Sequence, residues 1–304
     1  KANPAVLAIP SNKKLEKANA DLQALVLDRE RIEHDLKETQ AELIRMIHFE
    51  CDWVISDKGK KMFKLYRDRS GKIISKGDTG AEENAWDSYM LGVASAMLPK
   101  SPSYGNWMHK LVELFLHAAA KPQDINSREK YHGKPLGKWL KGSNLNEDGT
   151  VVNHHFIHPD YLAFANAARF FWLADQPVPK SLTLNMEAIF HGLADLQFKQ
   201  GDSIVGGRVR APGGTVLKDG SSDVFYPLGT DWGEWRRMNF AYFNCQIAAF
   251  TKDETIRKRA LDWEARFVQF TLDMQNRFPD GHTYTDKTED TYPSREECVA
   301  DHAG

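Results

Sequence analysis

Apolar residues recur at helical spacing along most of this chain, and the stretches between them are polar and turn-forming. Residues 1–10 read as an extended lead-in, because Pro4 and Pro10 oppose helix. Leu15, Ala18, Leu22, Leu25, Val26, Ile32, Leu36, Leu43, Ile44 and Ile47 then follow near the 3.6-residue period. They predict one long helix from Ser11 to about Phe49, capped by Ser11 or Asn12. Its other face is heavily charged. The favoured reading is a solvated amphipathic helix packed on its own domain. The alternative, a coiled-coil arm for self-association, requires sustained heptads. Residues 51–82 hold short apolar pieces broken by charged, Gly-containing segments, and predict turns with a small hairpin at Ser70-Gly71. Further helices are predicted at about 82–98, 104–120, 159–174, 180–201, 231–250 and 253–278, the first two halted by Pro99 and Pro122. Residues 121–160 read as loop with a short Trp139-Leu140 segment. The Gly-rich stretch 201–230 reads as a long loop with room for a hairpin, and residues 279–304 as a polar tail.

Helices in pairs, joined by one short and one long connection, suit a bundle, a solenoid or a closed ring of helical hairpins. No fixed repeat period supports a solenoid. Long loops carrying His, Asn, Trp and Asp at helix ends favour an all-α fold, an incomplete or open (α/α) toroid. Residues 1–50 would form the lead-in and long helix, and 51–304 the toroid-like domain. With 304 residues, 41% of them hydrophobic and 27% charged, the chain can bury a large core. A net charge of −2 gives no general attraction to nucleic acid, and no apolar run approaches the roughly 20 residues of a membrane span. The chain opens on Lys1 rather than Met, which reads as a processed or trimmed product. The three cysteines, Cys51, Cys245 and Cys298, have no metal-like spacing, and Cys245 reads as buried filler. Aromatics are plentiful, eight of them Trp; many must be core, and Trp also suits sugar stacking.

The densest candidate chemistry lies in Gly142–Tyr161, GSNLNEDGTVVNHHFIHPDY. His155 and His158, three apart and near Asp160, invite a zinc reading. However, the adjacent His154 and His155 diverge and Pro159 breaks regular helix, so neither metal nor cofactor is expected. A His beside a Tyr equips the stretch for acid–base work instead, and Asn153 or Asn144 can neutralise a substrate carboxylate as charge develops on it. Asp148-Gly149-Thr150-Val151-Val152-Asn153-His154 resembles the D-G-[ST]-apolar-x-polar-H motif of the α/α-toroid polysaccharide lyases that cleave hyaluronate, chondroitin and xanthan. A looser similarity to heparinase II/III-type lyases fits as well. The resemblance implies His154 as catalytic base or its partner, with Tyr161, seven positions on, completing the pair. Asn84-Ala85-Trp86-Asp87 resembles the family's Asn-aromatic-Trp stretch, which implies sugar stacking at Trp86 and substrate contact at Asn84. The family's Y-x-G-x-Y-G continuation is replaced here by H-H-F-I-H-P-D-Y, and Asn144 is the candidate for its separate catalytic Asn.

A second constellation runs from Tyr226 to Arg237. Asp231 and Glu234, three apart, share a helix face and read as cap and capping-box partner rather than as a glycosidase pair, which must flank the sugar. Tyr226, Trp232, Glu234 and Trp235 are candidates to line a cleft, and Arg237 to hold a carboxylate through paired N–H donors. His155 is expected to support. Ser294 and Glu297 read as another capping box. There is no phosphate loop and no G-x-S-x-G elbow. These features together predict a secreted or periplasmic polysaccharide lyase acting by β-elimination on a uronic-acid-containing glycan. The alternatives are a glycoside hydrolase using Asp231, Glu234 or Glu83, and a non-catalytic glycan-binding scaffold.

Overall fold

The computed structural model describes residues 13–56, 63–77, 79–153, 156–157, 161, 167–195, 199–200, 203–204, 209–211, 214–216, 222–223, 237–276 and 279. The chain divides into two compact units, 1–50 and 51–304.

A single 43-residue helix, α1 (Lys13–Ile55), fills the described part of the first unit and ends in the second. Charged side chains pair along the helix, as Arg29 does with Glu33 at 2.7 Å. Its apolar stripe departs from the expected packing. Leu22, Leu25, Ile32 and Leu36 are 59%, 65%, 61% and 54% exposed. The helix also runs past Phe49, because Cys51 and Val54 continue the apolar spacing and are buried. The Cys51 thiol donates to the Met90 carbonyl at 3.7 Å.

The second unit is mostly helical among the described residues, with strands two or three residues long. α2 (Ala81–Met97) and α3 (Tyr104–Ala119) pack together as a helical hairpin across the Pro99 turn. α3 buries Trp107, Leu111, Leu114 and Phe115. After a 3-10 turn (Pro122–Asn126) come β2 (Lys130–Tyr131), β3 (Lys134–Pro135) and the short α4 (Leu136–Trp139). β4 (Gly142–Ser143) pairs back with β1 (Arg67–Asp68), Arg67 opposite Ser143. The turn expected at Ser70-Gly71 is present, and an isolated bridge joins Arg67 to Ile73. β5 (Val152–Asn153) and β6 (Phe156–Ile157) form a further antiparallel pair.

Of the helix predicted at 159–174, the described residues show α5 (Ala168–Leu173) and a single 3-10 residue at Tyr161. The helix predicted from Lys180 to Gly201 is instead a 3-10 turn (Lys180–Thr183) followed by α6 (Met186–Ala194). Asn185 separates them at φ 55°, a left-handed conformation that Asn tolerates. Its amide is held there by donating to the Ala119 carbonyl and to Asp124. The Gly-rich stretch carries more strand than expected. β7 (Lys199–Gln200) pairs with β8 (Ser203–Ile204), and β9 (Val209–Ala211), β10 (Gly214–Val216) and β11 (Ser222–Asp223) form a three-stranded sheet. A second helical hairpin follows, α7 (Arg237–Phe250) with α8 (Glu254–Asn276). Asp253 caps α8, its carboxylate accepting from the Thr255 and Ile256 amides at 2.7 and 3.1 Å. Cys245 is only half-buried, and burial beside Glu264 pushes its thiol up to about 11, which leaves it inert at neutral pH. No described helix is long and apolar enough to cross a membrane.

Candidate functional site

The stretch that resembles the lyase motif begins as a tight turn clamped on α6. Asp148 Oδ1 accepts from both the backbone amide and the hydroxyl of Thr150, at 3.0 and 2.6 Å. Gly149 has φ 83°, and a Cβ there would stand 2.1 Å from the Ala188 carbonyl oxygen. The Asp-Gly-Thr triplet is therefore needed to bring this turn against a helix backbone. β5 leaves the turn and reaches the start of α2. The Thr79 amide donates to the Val152 carbonyl at 2.9 Å, and Asn153 Nδ2 donates to Glu82 Oε2 at 3.1 Å. Asn153 and Glu82 are both buried. The two sequence patches singled out for their chemistry, around Asn153 and around Asn84-Trp86, thus adjoin. Trp86, one turn beyond Glu82 on α2, is 47% exposed.

Asn84 and Asn144 are brought to one place, but as clamps on the backbone. Asn84 exchanges two hydrogen bonds with Lys64, accepting from its amide at 3.1 Å and donating to its carbonyl at 2.8 Å. Asn144 accepts from the Tyr66 amide at 2.7 Å and donates to the His117 and Lys64 carbonyls at 3.0 and 3.3 Å. Both are fully buried. With both ends of its amide engaged, Asn144 is not placed to neutralise a substrate carboxylate, and Asn84 is placed no better to touch a sugar. Tyr161 stands on one 3-10 residue and is 6% exposed. Arg237 opens α7, and its side chain is not among those described. His154, His155, Tyr226, Trp232, Glu234 and Trp235 lie outside the described residues, as do His158, Asp160 and the capping pairs at Asp231 and Ser294.

A charged row on α2 and α3 escaped the sequence reading apart from Glu83. Lys64 Nζ pairs with Glu83 at 2.5 Å, while Lys110 and Lys141 pair with Glu113 at 2.9 and 3.1 Å. Burial alone would push the Glu113 carboxyl up, but its two lysines outweigh this and hold it at about 2. His117 is buried, which lowers its imidazole to about 4. Its Nε2 accepts from the Lys141 amide at 2.9 Å, so Nδ1 carries the proton and donates to the Glu113 carbonyl. Burial and the Glu83 carboxylate together raise Asp87 above the usual carboxylate range. Glu83 Oε2 is buried with no hydrogen bond among the described residues. The only sequence signal for this row was Glu-Glu-Asn-Ala-Trp-Asp, which also reads as an ordinary acidic first turn.

Among the described residues, two grooves open elsewhere. One, of about 520 Å³, is apolar and lined by Val93, Met97, Phe170 and Leu173. The other, of about 460 Å³, is polar and lined by Lys121, Asn185, Glu187, His191 and Thr251. Among the described residues, none of the predicted site residues lines either. Among the described residues, no three His, Cys, Asp or Glu side chains gather as metal ligands would. Compared with known proteins, the chain matches no family model, no curated protein and no solved structure.

Proposed function

We propose that this chain is a polysaccharide lyase built as an open (α/α) toroid, cleaving a uronic-acid-containing glycan by β-elimination. The observation that carries this reading is the meeting of Asn153 with Glu82. It puts the stretch leading to His154 beside the helix that bears Trp86. In this reading His154 removes the proton α to the uronate carboxylate, and Tyr161 returns a proton to the departing glycosidic oxygen. Asn153, oriented by Glu82, stabilises the enolate-like charge. Arg237 binds the carboxylate, and Trp86 stacks on a neighbouring sugar. The hairpins α2–α3 and α7–α8 supply paired helices of the kind such a toroid would use. The substrate class carries with it a secreted or periplasmic location.

The test is incubation with a panel of uronate polymers, watching the ultraviolet absorbance of the unsaturated product. His154→Ala and Tyr161→Phe are each expected to slow its appearance by at least about 100-fold. Absence of that chromophore from every polymer would overturn the reading. One observation favours a hydrolase as a second reading. Burial and the neighbouring Glu83 carboxylate raise Asp87, and Glu83 Oε2 is buried without a hydrogen bond among the described residues. An acid of this kind still needs a carboxylate across the sugar ring, since residues one helical turn apart share a face. New reducing ends without the chromophore, lost in Asp87→Asn and kept in His154→Ala, would select it.

A further inference from the structure

We propose that α1 pairs with a second copy of this chain as a parallel, in-register, two-stranded coiled coil. The helix has a strict heptad that a 3.6-residue reading blurs. Positions 15, 18, 22, 25, 29, 32, 36, 39, 43 and 46 alternate by three and four without a break, and all lie within α1. All but Arg29 and Thr39 are apolar. A 3.5-residue repeat held over this span, roughly 48 Å of helix, makes a continuous seam for left-handed supercoiling. The seam is uncovered: Leu22, Leu25, Ile32, Leu36, Leu43 and Met46 are each at least 53% exposed. It ends just before the turn in which Cys51 and Val54 enter the core of the second unit.

Charge decides the occupant and its direction. With position 15 as a, the g positions are Asp21, Asp28, Asp35 and Glu42, and the e positions between them are Val26, Glu33 and Gln40. In an antiparallel pair of full overlap, g faces g. Asp21 would then oppose Glu42 and Asp28 would oppose Asp35, each contact made twice. In a parallel pair, g faces the e position five residues on. Only Asp28 against Glu33 is then acid on acid, while Asp21 meets Val26 and Asp35 meets Gln40. The parallel arrangement also sets Arg29, at an a position, beside Asp28 of the other copy. Same-helix pairs soften the remaining repulsion: Arg31 lies 3.3 Å from Asp28, Arg29 holds Glu33 and Arg45 holds Glu42. Arg29 also limits the number of strands. In a two-stranded coil its long stem reaches out past the seam, whereas more strands would enclose its charge.

The full chain should sediment at twice its monomer mass at tens of micromolar protein. Leu25→Glu with Ile32→Glu should weaken the dimer by about 100-fold or more, because both charges enter the seam. Arg29→Leu should tighten it, which tests the seam with a variant that adds helix-forming, apolar character. Ile32→Cys sits at a d position and should form an interchain disulfide on mild oxidation. Ala20→Cys, on the outer face, and the unmodified chain should not. A monomer, an assembly of three or more copies, or a dimer indifferent to the paired Glu substitutions would overturn the proposal. A dimer in which Ile32→Cys fails to crosslink would overturn the parallel direction, since antiparallel overlap places Ile32 opposite Arg29.

Discussion

His117 shows how one buried side chain ties acid sensitivity to the fold. Its neutral imidazole spans the Glu113 carbonyl and the Lys141 amide. A proton on Nε2 would turn that acceptor into a second donor facing an N–H. The imidazole titrates at about 4 when folded, against 6.5 when unfolded. Between those values the unfolded chain takes up protons that the folded chain refuses, so stability falls as pH drops from 6.5 toward 4. Glu113 acts in the same direction lower down. Its ion pairs contribute fully above 4.5 and are lost as pH falls toward 2. The His117 contribution alone should remove roughly 3 kcal/mol between pH 7 and pH 4, read from urea midpoints across that range. His117→Gln should be less stable at pH 7 yet lose less on acidification. Gly149 sets a different constraint. Ala at that position needs both a positive φ and space already held by the Ala188 carbonyl. Gly149→Ala should therefore cost about 2–4 kcal/mol, seen as a lowered thermal midpoint, with Asp148 and Thr150 unable to compensate.

At the scale of elements, the contact between β5 and α2 is the joint on which the candidate site depends. Asn153→Asp would place a second carboxylate against the buried Glu82. Two such charges cannot both stay ionised, so one carboxyl is raised, and the cost is present at pH 7 and relieved as pH falls through the raised value. Relative to the unmodified chain at the same pH, Asn153→Asp should lose about 2–4 kcal/mol at pH 7.5 and less at pH 5, by chemical denaturation. The residues involved also show what the sequence could reveal. α2 and α3 were legible within a residue or two, because amphipathic spacing and Pro99 and Pro122 mark their limits. The break at Asn185 was not, since the amide contacts that hold its left-handed backbone come from Ala119 and Asp124, some sixty residues earlier. Asn144 looked like a catalytic amide for a related reason. The amide that neutralises a carboxylate and the amide that pins a backbone are the same group, and only the partners, Tyr66, Lys64 and His117, tell them apart. The Asp148–Thr150 turn was legible as a turn, but its fit against α6 was not.

For the whole molecule, α1 belongs to two regimes along one continuous helix. Local spacing predicted the helix but not which of its apolar residues would be covered, because coverage is set by chain that lies far away in sequence. From Leu22 to Met46 the seam residues are exposed, so they contribute little to the stability of the 51–304 unit. At Cys51 and Val54 the same helix enters that unit's core, the two residues being 0% and 7% exposed. Substitutions at the two ends should therefore separate. Leu25→Glu with Ile32→Glu should leave the thermal transition of the tryptophan-rich core within about 0.5 kcal/mol of the parent, as exposed positions do. Val54→Asp should lower it by several kcal/mol, because it strands a charge among buried side chains. Near-ultraviolet circular dichroism reads the transition of the second unit directly, because all eight Trp lie within residues 51–304. If the paired Glu substitutions depressed that transition as far as Val54→Asp does, the stripe would be a covered core face and the division at Glu50 would not describe the folded chain.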